Sequence, residues 1–261
     1  MGGSQQRMGS NSEVLTPRGR SVAIALNRAV YRLNRDWVFW FLALTGLWVV
    51  LPWFAPVFMH LGWEGPAQAI YWLYSFQCHQ LPQRSFFLYG PQSMLSLGRI
   101  QSLWQNTFDP RVLRQFIGTA EVGFKVAWSD RMVSAYSSIP LATAIWWPLR
   151  KRLRPLPLWG FALLSLPMFL DGLSHIISDL AGIDQGFRHA NSWLAALTGN
   201  RLPASFYVGN ALGSFNSTMR LVTGALFGAG AAWFAVPHLD LSFRESAAAI
   251  KAKFERAEVE L

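Results

Sequence analysis

The chain reads as an all-α polytopic membrane protein with four transmembrane helices and both termini in the cytoplasm. Three observations predict that class. Of the 261 residues, 52% are hydrophobic and only 14% are charged, where a soluble domain carries about a quarter. The apolar residues are bunched into four runs, 36–59, 128–148, 156–180 and 215–237. Each is close to the roughly 20 residues that carry a helix across hydrocarbon. Lys and Arg gather in segments flanking these runs, as the positive-inside rule requires.

Residues 1–35 form a basic N-terminal segment. Its first 16 positions are polar and Gly/Ser-rich, a composition expected to stay disordered. It holds Arg7, Arg18, Arg20, Arg28, Arg32 and Arg35, six of the 23 Lys and Arg. The first apolar run has too long a core for a cleaved signal peptide. No small-residue cleavage site follows at 58–63, so the run reads as a retained signal anchor.

Segment 68–89 reads as a short helix, 68–76, followed by a re-entrant or interfacial turn. A fifth crossing here would place the N-terminal arginines and the RKRLR run at 150–154 on opposite faces. The segment also carries Gln77, Cys78, His79, Gln80, Pro82, Gln83 and Arg84 almost in a row. Irregular backbone of that kind at membrane depth must be covered by protein.

Between 98 and 118, Ile100, Leu103, Trp104, Val112, Leu113, Phe116 and Ile117 fall at helical spacings. They predict two short outer amphipathic helices split at Asp109-Pro110, with Asp109 as N-cap and Pro110 in the first helical position. A further short helix is expected over 191–197. The RKRLR run and the last four cations, Arg244, Lys251, Lys253 and Arg256, put 150–154 and 239–261 in the cytoplasm. That leaves 36–238 as a single helical membrane domain in the plasma membrane. Gly224 and Gly228 form a Gly-x-x-x-Gly spacing and Gly230 follows; they read as a close helix contact.

Composition also excludes some functions. With Cys78 alone, neither a disulfide within the chain nor a Cys-only zinc or iron–sulfur site can be built. The net charge of +9 is accounted for by span-flanking cations, which argues against nucleic acid as a partner. Membrane lipids, a second copy or the subunits of a membrane complex are the expected partners. No P-loop, Rossmann glycine motif or Gly-x-Ser-x-Gly elbow occurs.

The topology brings the intramembrane polar residues to one depth. The second run descends from outside, so Ser129, Asp130, Arg131 and Tyr136 lie in its outer half. The third ascends, placing Asp171 and His175 in its outer half. The fourth descends again, with Asn216 and Arg220 at its outer end. The Cys78–Arg84 turn is already outside. Charges in a span each cost about 2.5–3.5 kcal/mol on insertion scales, so they are expected to pair or to line a wet cavity. Asp130 is a candidate partner for Arg84 or Arg220, and Asp171 for Arg131.

Four ordered stretches carry a resemblance. QCHQLPQRSFFLYG (77–90) closely resembles the Cys-His-Gln-x-Pro-x-Arg-Ser motif of the predicted membrane proteins called domain-of-unknown-function family 2085. KVAWSDRMVSAY is similar to that family's second motif through Arg131 and Tyr136. PMFLDG (167–172) is similar to its Pro-x-x-x-Asp-Gly helix, and NSTMRLVTG (216–224) to its Asn-x-x-x-Arg-x-x-Thr-Gly. Ser129 and Met132 stand where the family often has Cys. The family brings no established activity, so the resemblance implies the fold and the site and leaves the chemistry open.

Two chemistries suit these residues. Cys78, His79, Asp171 and His175 form a borderline-soft donor set, and the cofactor it would suit is a divalent metal. Arg84, Arg131 and Arg220, with Tyr136 and Asn216, would hold a phosphate or carboxylate, because Arg offers bidentate contacts. The expected function is an outward-facing polar pocket for a small anionic or metal-associated ligand. In a lipid-headgroup enzyme His79, His175 and Asp171 would be catalytic. The alternative is a non-catalytic assembly subunit of a membrane complex.

Overall fold

Four apolar runs become four long helices. The computed structural model describes residues 16–261; the expectation of N-terminal disorder lies outside the described residues up to position 15. The first run folds as α2 (Trp37–His60), the third as α7 (Leu158–Asp179) and the fourth as α11 (Phe215–Arg256). These three are long and apolar enough to cross a membrane. The second run folds as α6 (Asp130–Leu149). Its Ser, Thr and charged residues leave it less apolar, and it does not join the other three. All four carry internal proline, which helices in lipid tolerate because neighbours re-satisfy the freed backbone groups.

Side-chain contacts fix the relative directions of α6, α7 and α11. Going down α11, Gly224 lies against Arg131 and Ser134, Gly228 against Ala135 and Ser138, and Gly230 against Leu164. The Trp233 indole then donates to the Arg154 carbonyl. Helix α6 therefore runs parallel to α11. Helix α7 runs back between the same two levels, from Phe161 stacked on Phe234 up to Asp171 beside Arg131. A Cβ at Gly224 or Gly228 would collide with backbone atoms of α6. The small-residue spacing is therefore used inside this chain.

The upper end departs from an all-α reading. Three strands, β1 (Ser85–Leu88), β2 (Gly118–Thr119) and β3 (Gly123–Ser129), form an antiparallel sheet in the order β1-β3-β2. Residue Ser129 ends β3 and Asp130 begins α6, so the start of the expected second span is strand. The re-entrant turn is likewise resolved into defined pieces. Helix α3 (Glu64–Ser75) is followed by a turn and a single 3-10 turn (Pro82–Arg84), which leads directly into β1. The chain there is held by hydrogen bonding and packing. Tyr71 donates to the Lys125 carbonyl and Tyr74 to the Trp48 carbonyl, while Tyr74 also packs edge-on to Trp128.

Between β1 and β2 lie α4 (Leu97–Leu103) and α5 (Pro110–Leu113), with Asp109 accepting from the Arg111 amide as the expected N-cap. Leu97, Ile100, Leu113 and Phe116 pack with Phe87 and Val122 in one core beneath the sheet. Three short helices, α8 (Phe187–Ala190), α9 (Ser192–Leu197) and α10 (Ala204–Tyr207), fill the segment between α7 and α11. Asn191, left-handed at φ 44°, separates α8 from α9.

Residues from Val38 to Leu239 make one compact unit; the described residues up to Trp37 and Asp240–Leu261 make another. In the latter, α1 (Pro17–Arg35) is capped by the Thr16 hydroxyl. Arg28 donates to the Glu260 carbonyl, Asn34 to Ser246 and Trp37 to Asp240.

Candidate functional site

Seven of the nine residues singled out from sequence line or underlie one cavity of about 610 Å³. Cys78, His79 and Arg84 come from the turn before β1, Arg131 from the first turn of α6, His175 from α7 and Arg220 from α11. Asp171 lies behind Arg131. Neither Tyr136 nor Asn216 faces this space. Tyr136 stacks on Trp128 with centroids 4.9 Å apart. Asn216 ties loop to helix, donating to the carbonyls of Arg188 at 2.6 Å and Gly209 at 2.8 Å. In this arrangement Tyr136 packs against β3, and Asn216 lines the neighbouring recess that Arg84 and His175 share.

The site is built on a buried arginine–aspartate network. Asp130 is fully buried and takes two bonds from Arg220, at 2.7 and 2.8 Å. The Ser217 hydroxyl and the Arg131 amide complete its shell at 3.0 and 2.8 Å. A buried ion pair is tolerable only when its remaining lone pairs are satisfied in this way. Arg220 spends its other nitrogen on the Asn210 side-chain oxygen at 2.7 Å. It is therefore a wall of the cavity more than a free hand in it.

Asp171 is shared. Arg131 reaches one carboxylate oxygen and Arg188 the other, both at 2.6 Å. Gly172 follows it because a Cβ there would crowd the Arg131 guanidinium, at 3.0 Å from Nη1. Arg188 also lies 3.2 Å from His175 Nε2. A guanidinium can only donate, so Nε2 accepts and His175 is a neutral imidazole with its proton on Nδ1. Arg84 pairs with Asp179 through a single nitrogen, at 2.9 and 2.8 Å. Three guanidiniums thus remain partly uncommitted, those of Arg84, Arg131 and Arg188, and the first two line the cavity. Arg84 and Arg131 each use only Nη2 on a carboxylate, and their buried Nε atoms have no partner among the described residues.

Metal coordination does not emerge from this geometry. Among the described residues no three His, Cys, Asp or Glu side chains are grouped to hold an ion. Asp171 is occupied by two arginines and His175 Nε2 faces one of them, Arg188, which works against the four-donor set of Cys78, His79, Asp171 and His175. The same contacts engage both oxygens of Asp171 and Nε2 of His175. The Cys78 sulfur accepts from the amides of Gln80 and Ser129 at 3.3 and 3.4 Å and is buried. His79 alone is both exposed and in the cavity.

Behind the turn, Lys125 on β3 is fully buried. Its ammonium donates to the Gln80 carbonyl at 3.0 Å and to the Arg114 carbonyl. It thereby ties the Cys78–Arg84 turn to the end of α5, two segments that flank the cavity. Burial pushes its pKa down to about 7. In a recess beside the cavity, Asp184 accepts from Asn210 at 2.6 Å, and burial raises its carboxyl above the usual range against the pull of Arg84.

Sequence reasoning missed Arg188, Asp179 and Asn210. All three come from α7's last turn or the segment after it, where no apolar periodicity makes a polar residue conspicuous. Their one signal was a neutralisation count, since four arginines need more than two aspartates. The fold and site define a helical chain with membrane-spanning character and a charged pocket at one end of its helices. Comparison with protein-family models, with curated proteins and with solved structures finds no match.

Proposed function

We propose that this chain is a four-span protein of the cell membrane whose outward-facing pocket binds a small anionic ligand, of phosphate or carboxylate type. The observation that carries this reading is the pair of half-committed guanidiniums. Arg84 and Arg131 each keep an Nη1 with no hydrogen-bond partner among the described residues, beside a cavity of about 610 Å³. An oxyanion in the cavity would accept from these two charged donors, and such charge-assisted bonds are about twice as strong as neutral ones. The resemblance to domain-of-unknown-function family 2085 supports the same site, because its motifs include Arg84, Arg131, Asp171 and Arg220. Were the ligand turned over as well as bound, His79 would be the acid or base, with the arginines holding the anion.

The second reading, a non-catalytic assembly subunit, loses one of its motives, since Gly224 and Gly228 are spent on α6. Anion binding is tested by thermal unfolding of purified protein in inorganic phosphate, sulfate and acetate. A ligand that binds only the folded state stabilises it by about 2.7 kcal/mol at a hundred times its Kd. The expected result is a saturable rise in Tm with at least one of these anions, lost in Arg131→Gln and Arg84→Gln. No saturable rise with any of them would overturn the proposal.

A further inference from the structure

The cavity is charged on its floor and apolar at its mouth. Arg84, Arg131 and Arg220 form the floor, whereas Phe108, Ile176 and Leu180 line the same space and are 44%, 64% and 82% exposed. A pocket for a free ion in water has no use for an aliphatic rim. Ile176 and Leu180 stand in and just past the last turn of α7, a helix of 22 residues. At 1.5 Å per residue α7 is about 33 Å long, close to the roughly 30 Å hydrocarbon thickness. Its end, with Asp179 and Arg84, therefore reaches the depth at which lipid phosphates lie.

Building on the anion-binding reading, we propose that the natural occupant is a phosphate-bearing amphiphile that enters sideways from the bilayer. Its phosphate sits against Arg84 and Arg131, and its hydrocarbon chain leaves across Ile176 and Leu180 onto the outer face of α7. Leu173, Ile176, Ile177 and Leu180 make that face continuous, at 40–82% exposure, and give a chain an apolar track to lie on. The chain stays in hydrocarbon whether the lipid is free or bound, and it holds the phosphate at the depth of the pocket at high effective concentration, so a lipid phosphate outcompetes the bare ion even though the polar contacts are the same.

The test is a titration of detergent-solubilised, full-length protein with inorganic phosphate, dioctanoyl phosphatidic acid and a neutral dioctanoyl glycerol, read by thermal shift. Phosphatidic acid is expected to bind at least about tenfold tighter than inorganic phosphate, with no response to the neutral lipid. The surface variants Ile176→Ser and Leu180→Ser alter exposed positions only. They should weaken phosphatidic acid several-fold while leaving inorganic phosphate unchanged. Equal affinities for phosphate and phosphatidic acid, untouched by these variants, would overturn the lipid proposal and leave the ion pocket standing. A response to the neutral lipid equal to that of phosphatidic acid would overturn it as well, since the arginine floor would then contribute nothing. Silence from all three ligands would overturn the lipid proposal, and silence from sulfate and acetate as well would remove the anion reading.

Discussion

Lys125 occupies the least hospitable position of any cation in the described chain. Its ammonium has no solvent and, among the described residues, no carboxylate partner; the carbonyls of Gln80 and Arg114 hold it, with the Tyr71 ring 5.9 Å away. Burial is the cause that lowers its pKa from 10.5 to about 7. Below pH 7 the folded and unfolded chains both carry the proton, and the full penalty of the buried charge is present. Between pH 7 and about 10.5 the unfolded chain holds a proton that the folded chain has released. Stability therefore rises with pH across that window, by at most about 1.4 kcal/mol per unit for one proton. In Lys125→Met this contribution disappears. Chemical denaturation of both proteins from pH 6 to 10 should show wild type gaining on the variant as pH increases. A difference that is flat, or of opposite slope, would mean that Lys125 stays charged when folded.

At the scale of elements, α6 and α11 pack backbone against backbone. Gly228 has the Ala135 carbonyl oxygen where a Cβ would go, and Gly224 has the Arg131 carbonyl 2.8 Å away. Gly46 on α2 has open space around its own missing Cβ. Gly228→Ala should therefore push the two helices apart, costing about 1–3 kcal/mol as an overpacked contact does, and Gly46→Ala should be near neutral. Thermal unfolding of the two variants measures the contrast. Phosphate-induced stabilisation should also weaken in Gly228→Ala alone, since α6 and α11 carry Arg131 and Arg220. The same elements mark how far the fold was legible. The Asp130–Arg220 and Asp171–Arg131 pairs were readable, because charges within apolar runs must be neutralised, and the Asp109 cap and the glycine contact followed from local chemistry. Strand β3 was not. Four consecutive residues, Lys125, Val126, Ala127 and Trp128, are fully buried, and a strand covered on both faces shows no two-residue period. Its last two residues, Trp128 and Ser129, therefore read as the beginning of a span. Arg188 and Asp179 stayed hidden because their partners are distant in sequence and their surroundings irregular.

For the whole molecule, the decisive question is which faces of the membrane the two ends of the bundle meet. Helices α6 and α11 run away from the pocket and α7 runs toward it, as the Gly224, Gly230 and Trp233 contacts require. The RKRLR run, 150–154, lies between the far ends of α6 and α7, whereas residues 180–214 join the pocket ends of α7 and α11. If α6 crosses despite its polar content, these two segments are on opposite sides, and the four cations of 150–154 place that segment in the cytoplasm. Three exposed positions make this measurable: Lys151 at one end, Asn200 and Gln105 at the other. In a Cys78→Ser background, a membrane-impermeant maleimide should label Asn200→Cys and Gln105→Cys in intact cells. It should reach Lys151→Cys only after permeabilisation. Labelling of all three from outside would mean that α6 and α7 do not both cross, and the pocket would lose the lipid phosphate layer as its setting. The reverse pattern would keep the spans and turn the pocket toward the cytoplasm, so that its anion would have to be supplied from the inner leaflet.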